Sequence, residues 1–146
     1  MADSPYRILI AEDNKADVYL IEEALRRHGF TYHLETADNG EDMLRIIAKI
    51  DQDPSQRCPD LFLVDLNLPR RPGDEVLAQI RESPRCSHVP VIVITSSDSP
   101  QDRARARELG ASFYFRKPPD LERFMAIGRI VGEFLEPQTG VPQPNF

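Results

Sequence analysis

One stretch limits the possible folds more than any other: Pro59 to Pro69, P-D-L-F-L-V-D-L-N-L-P. Leu61-Phe62-Leu63-Val64 is an unbroken apolar run that stops on a carboxylate, Asp65. A short apolar run between turn signals suits a strand buried on both faces, as in a parallel sheet covered by helices. Asp65 then stands at the carboxyl end of that strand, the edge at which open α/β sheets bind ligands. Taken alone, Asp65 equally suits a turn with Asn67 and Pro69. The other strands decide its meaning.

Arg7 to Ala11 reads as a buried first strand, followed by Glu12-Asp13-Asn14 and a helix from Lys15 to His28 that stops at Gly29. Val18, Ile21 and Leu25 recur there at helical spacing. Tyr32 to Thr36 alternates as a half-exposed second strand, Asn39-Gly40 reads as a turn, and Glu41 to Ile50 is helical. A breaker-rich loop, Asp51 to Pro59, leads into the third strand, and a helix from about Asp74 to Glu82 follows it. Val91 to Ile94 is a second fully apolar run, ending in Thr95-Ser96-Ser97. Ser99-Pro100 opens a helix to Leu109, with serine as N-cap and proline at the first helical position. Ser112 to Phe115 is the last strand, and Asp120 caps a helix to about Leu135. Strands alternating with helices imply right-handed βαβ units and a doubly wound parallel sheet. Five units suggest the flavodoxin-like (βα)5 order 2-1-3-4-5, with strands 1 and 3 adjacent at the switch point. Residues 1–136 read as one domain. Pro137 to Phe146, with three prolines and no periodicity, read as a tail or arm.

Composition removes several classes. A net charge of −6 opposes a nucleic-acid role, and Arg103, Arg105 and Arg107 alternate and so do not share a helix face. No apolar run approaches the ~20 residues of a membrane helix, and no targeting segment opens the chain. Cys58 and Cys86 read as incidental loop thiols in a reducing cytosol.

The carboxyl edge collects one set of chemistries. Strand 1 delivers Glu12 and Asp13, strand 3 Asp65, strand 4 the hydroxyl of Thr95 and strand 5 the amine of Lys117. Each has a plainer use: acids suit a first helical turn, and a lysine before proline suits a solvated loop. Together, clustered carboxylates repel unless a cation joins them. Mg²⁺ uses one or two carboxylates, waters and a phosphate oxygen. A carboxylate nucleophile beside a metal, an ammonium and a hydroxyl can accept a phosphoryl group as an acyl phosphate.

These residues resemble the receiver domain of two-component response regulators. The likeness runs from about Tyr6 to Leu135 and is carried by I-L-I-A-E-D-N, L-V-D-L-N-L-P, V-I-V-I-T-S and L-G-A-S-F-Y-F-R-K-P. The resemblance implies that Asp65 receives phosphate from a sensor histidine kinase. It implies that Asp13 ligates Mg²⁺ directly, with Glu12 beside it, and that Asn67 offers its backbone carbonyl to the metal. Thr95 and Lys117 would hold phosphate oxygens, Tyr114 would be the switch aromatic, and Pro118 the family's cis proline. Asn67 and Ser97 would flank the water that removes the phosphate. The long loop from Asp51, the lack of an effector domain after the last helix, D-N-K-A-D-V-Y-L-I and L-N-L-P-R-R-P-G-D-E-V-L resemble stand-alone regulators of phytochrome-type kinases.

Output through protein contacts is then expected, from a face of helix 4, strand 5 and helix 5 carrying Arg103, Arg107, Tyr114, an exposed Phe115, Arg116 and Arg123. A homodimer is expected through that face or through Val141 and Phe146 of the tail, in the cytoplasm. Two alternatives stand beside this reading. One is a phosphohydrolase with an aspartyl-phosphate intermediate, which Asn67 opposes because such enzymes carry an acid there. The other is a degenerate receiver that only docks.

Overall fold

The computed structural model describes residues 5–137 together with Pro144 and Phe146. In chain order the elements are β1 (Tyr6–Ala11), α1 (Lys15–Arg27), β2 (Tyr32–Ala37), α2 (Gly40–Gln52), β3 (Leu61–Val64) and α3 (Gly73–Glu82). They continue with β4 (Val91–Thr95), α4 (Pro100–Glu108), β5 (Phe113–Arg116), α5 (Leu121–Phe124) and α6 (Ala126–Leu135). The strands form one sheet of order β2-β1-β3-β4-β5, every pair parallel. This is the expected doubly wound topology.

Burial explains why the central strands are apolar at every position. In β1, β3 and β4 successive side chains enter opposite layers. Leu9, Phe62, Val64 and Val93 meet Met43, Ile47, Val76, Leu77 and Ile80 of α2 and α3. Ile8, Ile10, Leu61, Leu63, Ile92 and Ile94 meet Ile21 and Leu25 of α1 and Ile127 and Val131 of α6. A period of two with both faces covered leaves no position for a polar residue until the strand ends. The helix starts follow the sequence. The Asn14 side chain accepts from the N–H groups of Ala16 and Asp17, and Ser99 Oγ accepts from Asp102 N–H with Pro100 opening α4. Asn39 is the N-cap of α2, accepting from Asp42 N–H, and Gly40 is already helical, where a turn was expected.

Three expectations are corrected here. Cys58 and Cys86 form a disulfide with Cα atoms 5.6 Å apart, so neither is an incidental thiol. They lie on the loops that lead into β3 and β4, and the β3–β4 pairing brings those loops together. Arg85 strengthens the same junction by donating to the carbonyls of Asp53 and Gln56. Phe115 is not exposed: it is buried, with its ring edge-on to Phe124 at 6.0 Å. Strand alternation sends Tyr114 into the α3–α4 layer and Phe115 into the α1–α6 layer, and both layers are closed. The last helix is two pieces, α5 and α6, joined at Met125, where Gly128 N–H bonds three residues back to the Met125 carbonyl.

Candidate functional site

The sheet's hydrogen-bond ladder runs one residue past the strand ends. Asp65 N–H donates to the Ala11 carbonyl at 2.9 Å, Glu12 N–H to Ala37 at 3.0 Å and Lys117 N–H to Thr95 at 2.7 Å. Each functional side chain therefore springs from backbone that its neighbouring strand already holds. Glu12, Asp65 and Thr95 are buried there, while Asp13 is exposed at the mouth.

Lys117 is the hub. Its Nζ lies 2.7 Å from Glu12 Oε1, 2.7 Å from Asp17 Oδ2 and 2.9 Å from Asp65 Oδ2. Burial opposes its charge, but the carboxylates of Asp17, Glu12 and Asp65 outweigh burial and raise its pKa. Asp65 Oδ1 accepts from Asn67 N–H at 3.0 Å, so both oxygens of Asp65 have donors. Carboxylate oxygens of Glu12, Asp13 and Asp65 also all lie within 4.8 Å of one another. Three hard oxygen donors, one of them open to water, fit a hard divalent cation that keeps part of its hydration.

Glu12 records the crowding. Its burial pushes the carboxyl up to about 7, Asp65 adds repulsion, and Lys117 and the N–H of Asn14 offset part of the rise. Below that pH the group holds a proton that a metal must displace. Divalent-metal affinity should therefore climb as pH rises toward 7, approaching tenfold per unit in the acid range, and level off near pH 8. Calorimetric titration at about pH 5.5 and 8, in buffers of different ionisation enthalpy, measures the proton released. A flat pH profile would contradict the assignment.

Thr95 and Tyr114 form the side facing α4. Thr95 Oγ1 accepts from the Asn67 amide at 3.4 Å and from Ser97 N–H at 3.3 Å. The Tyr114 hydroxyl donates to the Ser97 carbonyl at 3.1 Å, so both residues converge on the β4–α4 loop. The Tyr114 ring is buried under the Arg103 guanidinium, 4.4 Å from its centroid, and beside the Phe146 ring at 6.0 Å. Phe146 thus packs within its own chain, with the Arg107 guanidinium over its ring, 4.9 Å from the centroid. Val141 is outside the described residues. Ser97 Oγ bonds to Asp102 Oδ2 at 2.5 Å, which commits it to the start of α4. No described peptide bond is cis, which corrects the expectation for Pro118. A trans bond before proline is the lower state by about 0.5–1 kcal/mol when nothing local demands the other.

Two residues of the site escaped the sequence reading. Asp17, in the first turn of α1, reaches Lys117. At Gly73, a Cβ would stand 2.1 Å from the Asp65 carbonyl oxygen and 2.7 Å from Leu66 Cα. The start of α3 packs directly on the backbone that carries Asp65, and only glycine allows that approach.

Residues 8–128 match the response regulator receiver domain. The chain belongs to that family. As a receiver domain it is similar to Response regulator Rcp1 of Synechocystis sp., with 32% identity over 139 residues, 94% of this chain and 95% of Rcp1. The structure of the phosphorylated cyanobacterial phytochrome response regulator RcpA superposes with a TM-score of 0.83 at 31% identity, covering 96% of this chain and all of that one. The Mn²⁺-bound form of Rcp1 gives 0.81 at 32% identity, over 96% and 99% of the two chains. The receiver fold and the relation to phytochrome response regulators are thereby shown. Among the described residues no helix is long and apolar enough to cross a membrane.

Proposed function

We propose that Asp65 accepts a phosphoryl group from a sensor histidine kinase, of the phytochrome type, in a Mg²⁺-dependent reaction, and that the chain signals through protein contacts. The observation that carries this is the pairing of Asp65 with Lys117 together with its place in the cluster of Glu12, Asp13 and Asp65. An oxygen of Asp65 attacks phosphorus, the P–N bond of the phosphohistidine breaks, and its electron pair stays on the imidazole nitrogen. Glu12, Asp13, Asp65 and the Asn67 carbonyl would hold Mg²⁺, which supplies neutralising charge when bound. Thr95 and Lys117 would then donate to phosphoryl oxygens, and the move of Thr95 reaches Tyr114 through the Ser97 loop that both contact. The likeness to phosphorylated RcpA and to Mn²⁺-bound Rcp1 supports the chemistry and the class of metal.

Incubation with acetyl phosphate and Mg²⁺ should add one phosphoryl group per chain by intact mass, with EDTA or Asp65→Asn abolishing it. Uptake by Asp65→Asn equal to wild type would sink the reading. No turnover of phosphomonoesters is expected, because Asn67 supplies no acid for a leaving group.

The α4–β5 face supports a homodimer. α4 buries only Ala106 among its own residues, and Arg105 and Arg107 are exposed on it. A dimer mass is expected by light scattering with acetyl phosphate and Mg²⁺, and a monomer under all conditions would exclude it.

A further inference from the structure

Asp17 sits in the first turn of α1 and lies outside the cluster of Glu12, Asp13 and Asp65. Acids there ordinarily face water and complement the helix dipole. Asp17 instead turns back, is 18% exposed, and places Oδ2 2.7 Å from the Lys117 ammonium. An ammonium has three protons. Glu12, Asp17 and Asp65 provide one carboxylate each around it. We propose that Asp17 is a positioning residue that acts through Lys117: its charge cancels part of the ammonium's field at Asp65, and so restrains phosphoryl uptake. This rests on the reading of Asp65 as the phosphoacceptor.

The charge balance decides the direction of the effect. Phosphorylation replaces a monoanionic carboxylate with a group carrying about −1.5 to −2 charges. Lys117 is the cation already touching Asp65. An anion in contact with that cation lowers the potential it can offer a phosphoryl oxygen, and itself repels the incoming dianion. Orientation of Lys117 does not need Asp17. Glu12 and Asp65, fixed on the ends of β1 and β3, already flank the ammonium, and its backbone N–H is tied to Thr95. What Asp17 adds is negative charge. Its partial exposure means that water and salt screen it, so the effect is several-fold rather than many orders of magnitude.

The full chain is tested as wild type, Asp17→Asn, Asp17→Ser and Asp17→Glu. The initial rate of phosphoryl uptake is followed by intact mass at saturating Mg²⁺ and subsaturating acetyl phosphate. Asp17→Asn and Asp17→Ser should be labelled about 3–10-fold faster than wild type, and added salt should narrow the gap. Asp17→Glu, which keeps the charge, should return to the wild-type rate. A merely structural role for Asp17 gives the opposite sign, because a loosened site is labelled more slowly. Rates unchanged or lowered in the Asn and Ser variants overturn the proposal, as does acceleration in Asp17→Glu as well. If wild type itself takes up no phosphoryl group, the phosphoacceptor reading fails. If wild type is labelled and the neutral variants are not faster, only the role of Asp17 fails.

Discussion

Reducing the Cys58–Cys86 disulfide should lower the unfolding free energy by about 3–4 kcal/mol, on the chain-entropy argument for a loop of this length. The sulfurs join positions 28 apart in sequence and close a loop that holds all of β3 and α3, so the unfolded reduced chain gains much freedom. For a domain of this size that corresponds to a fall in Tm of roughly 10 °C. The staple lies at the amino ends of the strands, opposite the acids, so the lost stability should leave phosphoryl uptake intact well below the new Tm. Thermal unfolding with and without a phosphine reductant, beside Cys58→Ser, measures the effect. Equal Tm values, with free thiols confirmed in the reduced sample, would contradict it.

Replacing Lys117 with methionine should be the second large effect. It leaves Glu12, Asp17 and Asp65 facing one another with no cation between them. Removing one partner from a largely buried ion network costs about 3 kcal/mol, somewhat less here because Asp17 keeps partial contact with water. The pH dependence carries the signature. Lys117 has a raised pKa, so in wild type its stabilisation is fully present below the ordinary lysine range and is lost only as pH rises beyond it. Glu12 is raised to about 7 from 4.5, so folded Glu12 holds a proton in that window that unfolded Glu12 has lost, and stability falls as pH rises through it. Without Lys117 that fall should grow, making the variant's deficit smaller near pH 5 than near pH 8. Urea unfolding at both pH values checks this. A deficit independent of pH would mean that lost packing, not charge, is responsible.

How far the sequence could be read depends on the distance over which each feature is set. β3 and β4 announced themselves because a strand covered on both faces must be apolar throughout, and Asp65 and Thr95 then had to fall at its open end. Asn14 and Ser99 were legible because capping is decided within three residues. The disulfide was not legible: Cys58 and Cys86 are brought together by the β3–β4 pairing, which no local pattern encodes. Phe115 was misplaced because a four-residue strand does not reveal that both of its faces are covered. Asp17 was missed because its partner lies on another strand end, 100 residues along the chain. Gly73 was missed because what excludes a side chain there is the backbone of Asp65, not its own turn.

The most direct measurement is chemical mapping of the acyl phosphate. The protein is treated with acetyl phosphate and Mg²⁺, reduced with borohydride, digested and sequenced by mass. Acyl phosphates are reduced to the alcohol, whereas free carboxylates are not. Conversion of Asp65 alone to homoserine, dependent on Mg²⁺ and absent from Asp65→Asn, is the expected result. Conversion at Asp13, Asp17 or another acid, with Asp65 untouched, would contradict the account.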